Sequence, residues 1–297
     1  MLILQAIASG IATGCVYALV ALSLVIVYKS TDVVNFAGGE LVMVGGYVAL
    51  LCVVSADLSL AIVLAAAPLV LFALGALFDR LTLTRVAGST LSRHVDLVPY
   101  VVATIGLSYL LKGAVRVVPF TEEVRRLPPL FSGPPVFIGD VVLQRQDLAI
   151  VFVTAVVMLL LWLFFGFTTP GKGLRATSQN PRAAALIGIP VKTMRMIVWG
   201  LSSAIAGIAG VLLAPKLLMT PDMGSVVMLA FAAAIIGGFS SLPGCVIGGI
   251  LLGIVQNLVG IFISPQAISV TPFFVIMLVL LFKPEGLFGE AVGVKKV

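Results

Sequence analysis

From Leu2 to Tyr28 no side chain carries a charge, and the first basic residue is Lys29. Predominantly apolar stretches of similar length recur down the sequence, at about 3–28, 37–54, 58–78, 95–118, 147–167, 194–214, 223–239, 244–263 and 267–282. A helix takes about 20 apolar residues to cross the hydrocarbon of a bilayer, and in lipid the backbone must satisfy its own hydrogen bonds. The expected fold is therefore all-α, a polytopic integral membrane helical bundle of about 8–9 transmembrane segments with glycine-broken or re-entrant elements. The balance of 61% hydrophobic against 10% charged residues leaves little chain for a globular domain outside the membrane. A single transmembrane domain is expected over 1–297. A cleaved leader places its basic residues ahead of its apolar run, so with Lys29 behind it the first stretch reads as a mature span.

The formal charge of +6 sits in the short gaps between apolar stretches, where it signals orientation and not nucleic-acid binding. With the N-terminus outside, the inner gaps hold Lys29, Arg80, Arg85, Arg93, Lys172, Arg175, Arg182, Lys192, Arg195, Lys283, Lys295 and Lys296, which is 12 of the 18 basic residues. Lys112, Arg116, Arg125, Arg126, Arg145 and Lys216 fall outside, together with Glu122, Glu123 and Asp140 of the long external loop 119–146. The expected topology is N-out and C-in, in a bacterial cytoplasmic (inner) membrane. The stretches 37–54 and 223–239 are short and carry Gly45-Gly46 and Gly237-Gly238, a pairing that hints at the interrupted segments of duplicated transporters. Loss of either crossing alone would invert everything between it and a terminus. Cys15, Cys52 and Cys245 are odd in number and lie within apolar stretches, so no disulfide framework is implied.

Gly10 and Gly14, Gly244 and Gly248, and Gly249 and Gly253 stand in GxxxG spacing, and Ala204, Gly207, Ala209 and Gly210 add further small residues. Such faces let helices approach closely, either within one chain or across a dimer seam. Asn35, Phe36, Gly39 and Glu40 lie beside or within the apolar zone, where the helix is expected to break at Gly38-Gly39. Polar groups at that depth are candidates for a translocation pathway, and Gly45, Gln256 and Asn257 join them. Glu40 has an equally good structural use, in the first turn of the following helix, where a carboxylate complements the macrodipole. Gln256 and Asn257, being neutral, could bond a neighbouring helix as readily as line a hydrated path.

The inner loop at 169–193 is the most informative stretch. Asn180 suits an N-cap, Pro181 a first helical position and Gly188 a left-handed stop, so a short helix over 181–187 is expected outside the membrane. Its small and aliphatic residues, Ala183, Ala184, Ala185, Leu186 and Ile187, suit insertion into a groove on a partner, the alternative being a helix lying on the bilayer surface. Gly166 to Lys172 matches the first seven positions of a phosphate-binding loop, but Gly173 stands where a Mg²⁺-binding Ser or Thr is needed, and the stretch follows an apolar span. His94 is the single histidine, so neither a histidine metal cluster nor a nucleophilic triad can be built. Asp79 with Arg80, and Arg93 with Asp96, read as solvated or snorkelling charges at inner ends of spans.

Asn35 to Glu40 with the glycines that follow resembles the N-terminal motif of branched-chain amino-acid ABC transporter permeases of the LivH type. Gly173 to Ile189 and Gly207 to Leu212 are similar to that family's ATPase-coupling region, and Gly237 to Gly249 to its late glycine-rich segment. The resemblance implies a non-enzymatic permease subunit of an importer for leucine, isoleucine and valine. It would work with a homologous second permease, two cytoplasmic ATPases and a periplasmic substrate-binding protein. The chain itself would hold no cofactor, ATP and Mg belonging to the partner ATPases. Coupling would run through Arg175, Asn180, Pro181, Ala183, Ala184, Leu186, Gly188 and Ile189, and a bulky charge at Ala184 is expected to uncouple ATP hydrolysis from transport. Permeation of urea, short amides or other amino acids is the alternative within the class. An ion-driven secondary transporter would need coupling carboxylates deep in the spans, where only Glu40 offers one. A membrane enzyme lacks its residue cluster, and a structural anchor subunit would have little use for the ordered inner loop.

Overall fold

The structure is a computed structural model and describes residues 2–56, 58–89, 97–117, 126–131, 133–138 and 141–289. In chain order the elements are α1 (Leu2–Thr31), α2 (Gly38–Ala56), α3 (Leu60–Phe78), a π-helical turn (Asp79–Leu83), α4 (Thr84–Ser89) and α5 (Val98–Val117). A hairpin of β1 (Val136–Ile138) and β2 (Val141–Leu143) precedes α6 (Arg145–Phe167), α7 (Thr169–Gln179), α8 (Pro181–Leu186) and α9 (Val191–Leu213). A 3-10 turn (Met223–Ser225) leads into α10 (Val226–Gly237), then α11 (Leu242–Phe262), a second 3-10 turn (Pro265–Ser269) and α12 (Thr271–Phe282). Among the described residues, Leu2–Thr31, Leu60–Val86, Val98–Val117, Arg145–Phe167, Val191–Leu213 and Leu242–Phe262 are long and apolar enough to cross a membrane. Gly38–Val54, Met223–Gly237 and Thr271–Phe282 are shorter apolar helices. The all-α polytopic expectation therefore holds, and the stretches 37–54 and 223–239 are short as expected. Exposed Leu69, Val70, Val102, Leu110, Phe152 and Leu160 give α3, α5 and α6 apolar outer faces, the surface that lipid requires.

Two glycine expectations change. Gly45-Gly46 does not interrupt α2, which runs unbroken through both. Likewise Gly38-Gly39 opens α2, and the break lies ahead of it, where α1 has ended and Asp32 takes φ 54°. At the other pair Gly237 is the last residue of α10 and Gly238, at φ 97°, ends it in a conformation that favours glycine.

The chain divides into two compact units, the first made of Met1–Val25, Pro129–Thr154 and Ser225–Val297. In it α1 packs on α11 through glycine: a Cβ at Gly14 would lie 2.6 Å from the Ile250 Cα, and one at Gly249 2.7 Å from the Ala18 nitrogen. Gly244 and Gly248 meet Gly237 and Ala233 of α10 in the same manner. The GxxxG spacings thus serve packing within the chain. The carbonyls that α10 leaves without helical partners are taken by a returning segment, Leu287 N donating to Ile236 O at 2.8 Å and Phe288 N to Gly237 O at 3.1 Å. The hairpin pairs Val136 with Leu143, and the Gln5 side-chain amide both donates to Val142 O (2.8 Å) and accepts from Val142 N (2.9 Å).

The second unit, Ile26–Pro128 and Ala155–Gly224, is built around α9, which packs against α2 and α3. A Cβ at Gly45 would stand 2.6 Å from the Gly207 Cα, and Gly210 meets the Val42 carbonyl and, at 2.8 Å, the Gly46 nitrogen. Against α3, Trp199 stacks edge-on with Phe78, ring centroids 5.5 Å apart. Asp79 is not the solvated partner of Arg80. It is 1% exposed and accepts from Arg195 Nε at 2.7 Å, while Arg195 Nη2 donates to Thr84 Oγ1 at 2.9 Å. The π turn and α9 are thereby tied by a buried ion pair, because a carboxylate inside a helix bundle needs a countercharge. At the far end of α5, Lys112 pairs with exposed Asp222 at 2.6 Å and holds that carboxyl below the usual carboxylate range. Arg93, His94 and Asp96 lie outside the described residues, as do 118–125, Ser132, Gly139, Asp140 and the last residues from Glu290.

Candidate functional site

The loop at 169–193 is ordered by side chains capping backbone. Thr168 ends the apolar run of α6 and opens α7: its hydroxyl donates to Phe164 O at 2.6 Å and accepts from Gly171 N at 3.1 Å. A Cβ at Gly171 would collide with the Phe164 carbonyl, so the corner between α6 and α7 has no room for a side chain there. The stretch that mimics a phosphate loop is thus a tight helix-to-helix corner. From it α7 runs amphipathically, burying Gly171, Leu174 and Thr177 and leaving Lys172 and Arg175 exposed.

Asn180 is at once the last cap of α7 and the first of α8, accepting from Arg182 N at 3.1 Å and Ala183 N at 3.0 Å, with Pro181 in the first helical position. The helix spans Pro181–Leu186, one residue shorter than expected. It closes with Gly188 at φ 87°, Gly188 N donating to Ala185 O (3.1 Å) and Ile189 N to Ala184 O (3.0 Å). This is the Schellman closure, which satisfies carbonyls that a six-residue helix would otherwise leave open. Caps at both ends explain how so short a helix persists, since helices of this length are marginal alone.

The faces of α8 differ from the expectation. Ala184 is 2% exposed and turned inward, whereas Leu186 is 88% and Ile187 76% exposed. Ala183 shares the exposed side, and Ile189 is half-buried with its Cγ2 3.7 Å from the position a Cβ would take at Gly173. Two bare aliphatic side chains on a capped, basic-flanked helix form a small apolar knob. That knob, and not Ala184, is what a partner's groove can receive.

The pathway candidates fall into different units. In the second, Asn35 is 1% exposed and its Oδ1 accepts from Ala37 N at 3.0 Å, an Asx turn that leads into α2. Phe36 is 43% exposed, Glu40 occupies the first turn of α2, and Gly39 faces Gly224. Gly45 is consumed by the contact with Gly207. In the first unit, Gln256 is buried, its Nε2 donating to Ile268 O at 3.1 Å while its Oε1 has no partner. Asn257 donates to Gly253 O at 2.9 Å and accepts from Ser9 Oγ at 3.2 Å. Asn35, Gly45 and Asn257 therefore have structural uses, and of these candidates Gln256 keeps a buried polar atom without a partner, as Trp199 does elsewhere among the described residues. Spacing gave no signal for the Asp79–Arg195 pair, whose members stand 116 residues apart.

Residues 6–281 match the family model described as branched-chain amino acid transport system / permease component. The chain is 30% identical to the high-affinity branched-chain amino acid transport system permease protein BraD of Pseudomonas aeruginosa, covering 97% of this chain and 96% of that protein. Identity to the corresponding protein LivH of Escherichia coli K12 is 31%, with the same 97% and 96% coverage. Among solved structures, PsaBC from Streptococcus pneumoniae in complex with Fab aligns at a TM-score of 0.49 and 16% identity, over 96% of this chain and 93% of that one. Shared sequence from the first helix to the last makes this chain a member of the branched-chain amino acid transport system permease family.

Proposed function

We propose that this chain is the membrane-spanning permease subunit of an ATP-driven importer for leucine, isoleucine and valine in a bacterial inner membrane. The observation that carries the reading is α8, a helix too short to persist without its caps, which holds Leu186 and Ile187 out of the protein. Exposed aliphatic side chains on a structured loop are used when a partner covers them. The partner is a cytoplasmic ATPase, which holds ATP and Mg; this chain holds neither. A second, homologous permease completes the pathway, and a periplasmic binding protein delivers the amino acid. ATP-driven movement of the knob reaches α7 and α9 through buried Ala184 and Leu174, and α9 carries it to α2 and α3 through their glycine contacts. The membrane helices then alternate the pathway between its two sides.

Uptake into proteoliposomes holding this chain with its partner subunits tests the reading, comparing labelled leucine with labelled urea, with and without ATP on the ATPase side. ATP-dependent leucine uptake is the expected result. Preference for urea would move the substrate to short amides, and uptake that follows an ion gradient and ignores ATP would overturn the role given to 169–193.

A further inference from the structure

We infer that the first unit carries a lipid site, a groove at the start of α6 that takes a phosphoglyceride whose headgroup has net negative charge. Such a site is independent of the solute that the chain carries. The groove holds about 330 Å3 and lies between α6 and the segment that leads into it. Arg145, Leu148, Ala149 and Phe152 line it from the helix, and Phe131 and Val136 from the preceding segment. The four helix residues stand at i, i+3, i+4 and i+7, so they form one stripe down a single face.

The depth of the groove follows from its helix. With 23 residues α6 is long and apolar enough to cross a membrane, a rise of about 34 Å against a hydrocarbon core of about 30 Å. Its first turn therefore lies at headgroup level, and no charged side chain follows Asp147 until Lys172. From Arg145 to Phe152 the stripe descends about 10 Å towards the bilayer centre. Leu148 and Phe152 are exposed on the side that lipid must cover, and buried Ala149 gives the groove its floor. The groove thus has a cation at its mouth and apolar side chains below it.

The guanidinium is held in place with donors to spare. Its Nε donates to Pro134 O at 3.0 Å, at the open end of the β1–β2 hairpin. It lies against Gly133, which sits at φ 147° and where a Cβ would come within 2.7 Å of the Arg145 Cζ. Arg145 is exposed, and its Nη1 and Nη2 have no partner among the described residues. A guanidinium only donates, and its planar fork matches two phosphate oxygens. Asp147, two residues along, is buried and does not line the groove, so no carboxylate in the lining neutralises Arg145. A zwitterionic lipid would bring its own cation to a mouth that offers no acid for it, whereas an anionic lipid brings the phosphate without one. A soluble phosphate would satisfy the guanidinium and leave Leu148 and Phe152 uncovered. An anionic phosphoglyceride satisfies both ends, its phosphate on Arg145 and an acyl chain along the stripe.

Fluorescence quenching by lipids brominated on their acyl chains tests this, with the full chain in phosphatidylcholine nanodiscs. Phe152→Trp puts a reporter in the groove and keeps an aromatic ring there, and Trp162→Phe removes the exposed tryptophan further down α6; Trp199 is 1% exposed and out of reach of lipid. Brominated phosphatidylglycerol should quench the reporter with a relative binding constant about fivefold above that of brominated phosphatidylcholine. Adding Arg145→Gln, at an exposed position where a side-chain amide can still donate to Pro134 O, should bring that ratio to about one. Arg145→Lys keeps the charge and should keep a ratio above that of Arg145→Gln, and glycerol 3-phosphate in solution should leave the ratio of the reporter chain unchanged. Equal quenching by the two lipids would overturn the site, as would equal ratios in the two Arg145 variants. A preference that survives Arg145→Gln would assign the attraction to the positive charge of the whole chain and remove the site. Loss of the preference on adding glycerol 3-phosphate would give the guanidinium to a soluble phosphate, and a reporter quenched by neither lipid would give the groove to a protein partner; either result refutes the lipid assignment.

Discussion

At the residue scale, the Asp79–Arg195 pair shows how a charge is kept inside an apolar bundle. The carboxylate has one guanidinium nitrogen at 2.7 Å, and Thr84 takes a second, so the pair is held by geometry as well as attraction. Removing one member leaves the other buried without its countercharge, which costs about 3–5 kcal/mol, whereas replacing both by apolar residues is often close to neutral. Asp79→Ala is therefore expected to lower the melting temperature in detergent sharply, and Asp79→Leu with Arg195→Met to recover most of the loss. Equal melting of the two variants would show that the pair is not what ties the π turn to α9. The Lys112–Asp222 pair is the opposite case, with Asp222 74% exposed. Its carboxyl is held low by Lys112, so whatever it contributes is present above the ordinary carboxylate range and is lost as pH falls through the depressed value. Melting curves of the wild type and Asp222→Asn should superimpose in high salt, where an exposed pair is screened. Glycines divide in the same way. Gly210→Ala drives a methyl into the backbone of α2 and should cost about 1–3 kcal/mol. Gly106→Ala meets nothing within 4 Å and should stabilise α5 by about 0.5–1 kcal/mol.

At the scale of elements, α8 offers a separation of folding from coupling. Ala184→Asp buries a charge against α7 and α9, so loss of transport in that variant would come with loss of stability and would say little about a partner. Leu186→Glu and Ile187→Glu place a charge on side chains that touch little of this chain, and their melting should match the wild type. In the importer proposed above, ATP-driven uptake should fall at least severalfold. Wild-type uptake by both variants would show that the knob contacts nothing during transport. The contrast also marks what could be read from the residues beforehand. Asn180, Pro181 and Gly188 announce their helix because capping is local chemistry between neighbours in sequence. Which face of α8 turns inward is decided by its packing against α7 and α9, and six residues are too few for periodicity to reveal it. The apolar stretches were legible for the same reason that capping was, since length and hydropathy are properties of the segment itself. Gly45-Gly46 misled because a glycine pair reads as a break, when its use is to let α9 come within contact of the α2 backbone. Asp79 misled because its partner lies on a helix far along the chain, and no spacing rule reaches it.

At the scale of the whole molecule, the open quantity is parity. Thr271–Phe282 has 12 residues, a rise of about 18 Å against a hydrocarbon core of about 30 Å, Met223–Gly237 rises about 22 Å, and Gly38–Val54, at about 25 Å, comes nearest to spanning. If the nine apolar helices found among the described residues all cross, the termini lie on opposite faces; if one of the short three turns back, they lie on the same face. The basic residues favour the first arrangement, with α8 and the C-terminus inside and the β1–β2 hairpin outside. Single cysteines give the answer in whole cells. In a chain whose half-buried Cys52 is replaced by serine, Cys15 and Cys245 are buried and give no background with a membrane-impermeant maleimide. Phe137→Cys in the hairpin, 68% exposed, should then label in intact cells, and Ile187→Cys, 76% exposed, only after the membrane is opened. An N-terminal epitope should be reached from outside and a C-terminal one only after permeabilisation. Labelling of Ile187→Cys from outside would invert the orientation and place the proposed ATPase surface on the wrong side of the membrane. Termini found on the same face, with Phe137 and Ile187 still on opposite faces, would keep that surface and identify one of the short helices as re-entrant.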